Sequence, residues 1–251
     1  MRPSQRSVVV GTAGWQIPRA VADAFCAEGS TLARYAGRFA GVEINSTFYR
    51  SHRTATFERW VAATPDDFRF AVKLPKAVTH ERRLVDASDL VERFLAEIQP
   101  LAPKLGPVLV QLPPSFAFDA DVATPFFASL RERIAGFIAC EPRHPSWFEA
   151  EPDQLLAQLQ VARVAADPAR VPQAARPGGW PGLRYWRLHG SPRMYWSAYS
   201  PEQIAALAAD IAGADAPCWC IFDNTTSGAA AVDALALKGA LTSACAEAGD
   251  P

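Results

Sequence analysis

Side chains that can move protons or hold anions recur in this chain in pairs two residues apart. Glu43 and Asn45 lie in Val42-Glu-Ile-Asn45, Glu141 and Arg143 in Glu-Pro-Arg143, and Arg187 and His189 in Arg-Leu-His189. Residues two apart share a face of an extended strand, so each pair presents both members to the same side. Lys73, Gln111 and Asp223-Asn224 stand at the ends of other apolar runs, and His80 follows Lys73 by a short loop. Glu43 and Glu141 are the candidate general acid and base. An arginine holding one ionised, while burial raises the other, would run acid and base steps at neutral pH. Lys73, Arg143 and Arg187 would bind an anion, and His80, His189 and Asp223 would relay or orient protons. Trp15, Asn45, Tyr49, Gln111 and Asn224 complete the expected substrate-binding set, since an aromatic face suits the apolar side of a sugar ring.

Plainer readings compete. A ring of Glu and Arg can be a structural ion-pair network, although buried pairs often give no net stabilisation. His52 reads as a surface residue. Glu43, Glu141, Asp223, His144 and His189 are also ligand types for a divalent metal. Yet no HxH, HxxxH or HExxH spacing occurs, and the neighbouring Lys and Arg favour an anion over a cation. No cofactor is required by the sequence; a divalent metal stays open as the alternative. GxSxG is missing, which removes support for a nucleophilic serine.

The elements that must position these residues are legible as alternation. Apolar, β-branched runs at Val8–Thr12, Val42–Asn45, Phe68–Lys73, Pro107–Leu112, Phe137–Glu141, Val161–Asp167, Leu183–His189 and Cys218–Asp223 read as strands, several covered on both faces. Between them lie helical stripes. One is Val91, Phe94, Leu95 and Ile98; another is Ala123, Phe126, Phe127, Leu130 and Ile134; a third is Ile204, Leu207, Ala208 and Ile211. The third starts with a capping box, Ser200-Pro-Glu-Gln203. The alanine-rich stretch Ser227–Glu247 predicts a final helix. Pro168–Gly182 is so rich in Pro and Gly that the sixth helix should be degenerate or replaced by a loop.

Eight strands in βα alternation over 251 residues predict an α/β fold: one TIM-type (β/α)8 barrel of parallel strands spanning residues 1–251. The open-sheet alternative loses support because GxGxxG and GxxxxGK[ST] are absent. In such a barrel the C-terminal strand ends form one rim, and the polar residues above all fall there.

Composition bounds the partners. Hydrophobic residues at 49% supply a large core, and a net charge of −1 argues against generic nucleic-acid binding. No apolar run approaches the roughly 18 residues of a membrane span. The N-terminal MRPSQRSVVVGT lacks the apolar stretch of a signal peptide. Five cysteines without a CxxC suggest neither a disulfide scaffold nor a structural zinc site. These features predict a cytoplasmic protein with a small, polar or anionic ligand and no membrane. Oligomeric state is not readable.

Several segments together resemble the YecE-like family of domain-of-unknown-function seventy-two. They are Gly11-Thr-Ala-Gly-Trp15, Val42-Glu-Ile-Asn-Ser-Thr-Phe-Tyr-Arg50, Phe68-Arg-Phe-Ala-Val-Lys73, Thr79-His80, Gly106–Pro114, Glu141-Pro-Arg-His-Pro-Ser-Trp147, Tyr185-Trp-Arg-Leu-His-Gly190 and Phe222–Ala229. The resemblance spans residue 8 to about 240 and implies a TIM-type barrel, with no established activity. Two departures stand out against it: Gln16–Glu28 is shorter than the family's aromatic segment, and Pro142 replaces a usual Phe. The reading that follows is an enzyme, an isomerase, epimerase or hydrolase, working by carboxylate acid–base chemistry on a small sugar-like or phosphorylated substrate. Metal-assisted phosphodiester hydrolysis and non-catalytic small-molecule binding are the alternatives.

Overall fold

The computed structural model of the protein describes residues 7–247, with side chains as far as residue 243. The start of the N-terminal segment and the Cys245 side chain lie outside the described residues. Among the described residues there are ten strands: β1 Val8–Thr12, β2 Gly41–Ile44, β3 Arg69–Lys73, β4 Leu105–Gln111, β5 Ile138–Glu141, β6 Val161–Arg163, β7 Ala165–Asp167, β8 Gly178–Gly179, β9 Arg184–Leu188 and β10 Cys218–Phe222. Between them run α1 Thr31–Ala36, α2 Thr54–Ala62, α3 Ser88–Ile98, α4 Ala120–Arg133, α5 Ala150–Gln158, α6 Pro201–Ala212 and α7 Ala229–Glu247. The three helical stripes and the final helix fall where the periodicity puts them, and the capping box of α6 is formed in full.

Two ladders make the wall. One runs β1-β10-β9-β7, and the other runs β2-β3-β4-β5-β6-β8. Every pairing is parallel except that of β8. The predicted sixth strand is one stave that changes partner at Val164: β6 pairs with β5, and β7 pairs with β9. The other seam lies between β1 and β2. Gly11 comes so close to the Gly41 carbonyl that a Cβ there would sit 2.2 Å from its oxygen. The Tyr35 hydroxyl of α1 bridges the seam, accepting from Thr12 N at 2.8 Å and donating to Gly41 O at 3.3 Å. Above it, Gly14 N donates to Glu43 O at 2.9 Å. The result is a closed (β/α)8 barrel.

Alternation along the strands separates two cores. Val9, Ala71, Leu109, Ala139, Ala162, Val164, Tyr185, Trp219 and Ile221 fill the barrel, while the outward residues pack under the helices. Trp219 plugs the interior because Gly106 leaves room for it; a Cβ at Gly106 would meet the indole at 2.6 Å. Where the sixth helix should be, a loop covers the wall. Its organiser is Arg163, whose Nε donates to Asp153 Oδ1 at 2.7 Å and whose Nη1 donates to the Gln173 and Arg176 carbonyls. Among the described residues no helix is long and apolar enough to cross a membrane.

Candidate active site

Five staves bring charge to the C-terminal mouth, and the side chains converge on one arginine. Arg187, on β9, is 1% exposed. Its Nε donates to both Glu43 oxygens at 3.2 and 3.0 Å, and its Nη2 donates to Glu43 Oε1 at 2.6 Å. Nη1 donates to Glu141 Oε2, and Nη2 also reaches Asp223 Oδ2 at 3.0 Å. One guanidinium therefore ties β2, β5, β9 and the end of β10 together. Tyr185, two residues earlier on the same face of β9, donates to Glu43 Oε2 at 2.6 Å.

A second tier sits beside it. Arg143 Nη2 is ion-paired with Glu141 Oε1 and lies 3.0 Å from His189 Nε2. His189 Nδ1 is 3.1 Å from Asp223 Oδ2. With the proton on Nδ1 the imidazole donates to Asp223 and accepts from Arg143, which satisfies both nitrogens; the opposite tautomer would instead donate to Glu141 Oε1, 3.1 Å away. Burial works to raise the Glu141 carboxyl, but Arg143, Arg187 and His189 outweigh it and hold it well below the usual carboxylate range. Asp223 is likewise held low, burial being overcome by Arg187 and His189.

Lys73 closes the mouth from β3. Thr47 fixes its carbonyl with a 2.7 Å hydrogen bond, and its ammonium stands 4.0 Å from the centre of the Phe48 ring. Burial, with help from Arg187, pushes its pKa down to about 8 against the pull of Glu141, Glu43 and Asp223. His80, in the turn after β3, bonds Thr79 Oγ1 at 2.9 Å and packs edge-on against Phe48. Burial, and then Lys73, lower its pKa.

The remaining expected residues divide. Asn45 stands beside Glu43 with its Oδ1 buried and unpartnered, as is Arg143 Nε. Gln111 is level with Glu141 across the β4–β5 ladder, and its amide turns back to the Leu112 carbonyl. Asn224 donates its amide to Ser197 O and Asp233 Oδ2, pinning a loop to α7, while its Oδ1 is buried and unpartnered like that of Asn45. Trp15 packs edge-on against Trp60. Tyr49 is 78% exposed, packs edge-on against Phe48, and lines a cleft of about 390 Å³ with Lys76, Glu81 and Glu97. His144 caps the turn that follows it. His52 is half-buried, bonded to Ser46 and wedged against Phe57 and Trp60, where a surface position was expected.

One contributor escaped the sequence reading. Tyr185 shares the Arg187 and His189 face by the same period of two, which could have found it. Tyr195, an aromatic just past the β9 strand, packs edge-on over His189 at 5.6 Å from a left-handed backbone with φ of 64°. As for a metal, no group of three His, Cys, Asp or Glu side chains is gathered to hold one among the described residues. The three carboxylates converge on the Arg187 guanidinium, which fills the place a cation would take.

A closed (β/α)8 barrel with a buried, polar C-terminal mouth defines the class of protein, which on its own says little about chemistry. The family described as "Protein of unknown function DUF72" matches over residues 9–250, and the chain belongs to that family. It is 34% identical over 176 residues to the UPF0759 protein YecE of Escherichia coli, a match covering 68% of this chain and 62% of that relative's length. Its fold is similar to the crystal structure of a DUF72 family protein from Thermotoga maritima, with a TM-score of 0.78, 27% identity and coverage of 94% and 100% of the two chains. A 3-keto-L-gulonate-6-phosphate decarboxylase from Vibrio cholerae shares the fold at a TM-score of 0.54 and 10% identity, over 94% of this chain and 98% of that one.

Proposed function

We propose that the protein is an enzyme that moves protons on a small polar, sugar-like substrate at the barrel mouth. Asp223 and His189 are the proton-handling pair, and Lys73 and Arg143 meet the substrate. The observation that carries this reading is the Arg187 node with the His189–Asp223 pair seated on it. A barrel needs no such array for stability, because buried ion pairs are often replaceable by apolar side chains without loss. A reaction centre does need charges fixed before the substrate arrives.

Asp223 is the base: it is ionised at neutral pH, and of the three carboxylates it alone keeps some exposure, 9% against 0% for Glu43 and Glu141. Glu43 and Glu141, the acid–base candidates of the sequence, work one tier lower, setting the positions of Arg187, Arg143 and through them His189. The charge count bears on the substrate. Three carboxylates face Arg187, Arg143 and Lys73, so the mouth is close to neutral when Lys73 is protonated. Among the described residues Lys73 Nζ, Arg143 Nε and Arg143 Nη1 have no hydrogen-bond partner, and these donors suit the oxygens of a single carbonyl or anionic group. Isomerisation or epimerisation fits such a site.

Solvent-exchange NMR tests this. A panel of ketoses, aldoses and 2-oxo acids in D₂O should include a member whose proton next to the carbonyl exchanges in the presence of the protein. Asp223→Asn should slow that exchange by roughly 100-fold or more, the usual scale of general base catalysis. No exchange across the panel, or full exchange by the variant, refutes the assignment.

A further inference from the structure

We infer that Lys73 is a covalent catalytic residue, forming an imine with the carbonyl carbon of a small aldehyde or ketone bound in the barrel mouth. The inference rests on the mouth being the reaction site, as proposed above, and narrows the substrate class to carbonyl compounds.

The geometry singles out this lysine from the four in the chain, Lys73, Lys76, Lys104 and Lys238. Lys104 is buried, and its ammonium is fixed by the Val61 and Thr64 carbonyls at 2.9 and 2.7 Å. Lys76 is paired with Glu81 at 3.4 Å on the surface. Lys238 donates to the Arg38 carbonyl. Lys73 is 8% exposed, yet it has neither a hydrogen-bond acceptor nor a carboxylate within 4 Å among the described residues; its neighbour is the Phe48 ring. The carboxylates that could have paired with it are all drawn toward Arg187 and Arg143. A counter-ion lysine would be built the other way, with a carboxylate against its nitrogen. An amine desolvated beside other cations is how a lysine is kept neutral enough to attack. The groups acting on it are Arg187 from β9, Glu43 from β2, Glu141 from β5, Asp223 from the end of β10, and His80 from the turn after β3. With its pKa near 8, about a tenth of Lys73 is neutral at pH 7, against well under a thousandth for an ordinary lysine.

The step balances simply. The Nζ lone pair attacks the carbonyl carbon, and the carbonyl π pair moves to oxygen, which takes a proton to give the carbinolamine. Nitrogen then expels that oxygen as water after a second protonation, while the nitrogen's own proton inventory falls from two to one. The net change is amine plus carbonyl plus one proton to iminium plus water. Nothing is oxidised or reduced. The iminium draws electrons from the adjacent C–H bond, whose proton passes to Asp223.

Reductive trapping tests it on the full chain. The protein is incubated with glyoxylate or with dihydroxyacetone in sodium cyanoborohydride, followed by intact mass and peptide mapping. The expected result is one adduct, on Lys73, exceeding that on Lys76 or Lys238 by at least about tenfold. Its yield should climb with pH around a midpoint near 8 and vanish in Lys73→Arg, while Lys76→Arg retains it. Equal labelling of Lys73, Lys76 and Lys238, or no adduct on Lys73 with either probe, overturns the inference. Proton exchange in D₂O without a Lys73 adduct leaves the acid–base reading standing and the imine refuted. An adduct without exchange does the reverse.

Discussion

Replacing Lys73 with methionine should make the protein more stable at neutral pH. Met keeps the length and the apolar stem, and removes only the charge. The amine sits at about 8 in the fold against 10.5 in water, and each factor of ten in that ratio is 1.36 kcal/mol. Holding the ammonium protonated in the mouth at pH 7 therefore costs about 3 kcal/mol. Loss of the contact with Phe48 returns about 1 kcal/mol of that, leaving a gain of about 2 kcal/mol. For a chain this size each kcal/mol moves the midpoint by about 2–4 °C, so Lys73→Met should melt roughly 4–8 °C higher. The sign of the pH dependence is fixed. The folded pKa is the lower one, so between about 8 and 10.5 the unfolded chain binds more protons, and the wild type gains stability as pH rises through that window. The gap between variant and wild type is largest at pH 7 and shrinks by pH 10.5. Urea titrations at four or five pH values measure it, and taking the difference cancels every other titrating group. A variant that is less stable than the wild type at pH 7, or a gap that stays flat to pH 10.5, refutes the picture of a lysine held against its preference.

Arg187→Met should behave oppositely. It strips the common partner from three buried carboxylates and should cost at least about 3–5 kcal/mol, the usual penalty for orphaning a buried charge; chemical denaturation reads it, and Arg187→Lys should not restore stability because an ammonium cannot bridge all three. In acid, Glu141 and Asp223 have folded pKa values below their ordinary ones, so their contribution is in place above about pH 4 and drains away as pH falls through the folded values. Glu141→Gln should lower stability at pH 7 and flatten the acid limb of the stability curve; a variant whose acid limb is as steep as the wild type's would show that Glu141 does not drive it.

The barrel was legible because its strands are short and apolar and end in polar residues, a pattern carried by the order of residue types along the chain. The missing sixth helix was legible for a related reason: Pro168–Gly182 holds too much Pro and Gly to be helical. The stave break at Val164 was not, since β6 and β7 form one continuous apolar run and only the change of pairing partner divides them. In the site, Glu43, Glu141, Arg143, Arg187, His189 and Asp223 were identifiable from strand-end position, and period two brought them to one side. Rank within the cluster was hidden. Which carboxylate keeps contact with solvent depends on how far each side chain lies below the rim, and a sequence does not encode depth directly. For Asn224 the sequence does not show that its amide nitrogen ties Ser197 to Asp233 while its Oδ1 stays unpartnered. Trp15 and Tyr49 read as a sugar platform; in the fold Trp15 packs on Trp60 and Tyr49 is exposed beside Phe48.

The phenol that closes β1 on β2 makes the order of assembly visible. β2 to β6 are successive neighbours and can add one after another with modest loop closures. β1 is set apart: its ladder partner is β10, with Val8 opposite Cys218, and its other edge meets β2 only through the Gly14–Glu43 bond and the Tyr35 hydroxyl. Contacts of that sequence separation form slowly, so the β1–β10 ladder is expected among the later parts of the wall to form. The same seam, held by the Tyr35 hydroxyl and the single Gly14–Glu43 backbone bond where other staves have a full ladder, is the joint expected to open most readily, and hydrogen exchange at the Thr12 amide would record each opening.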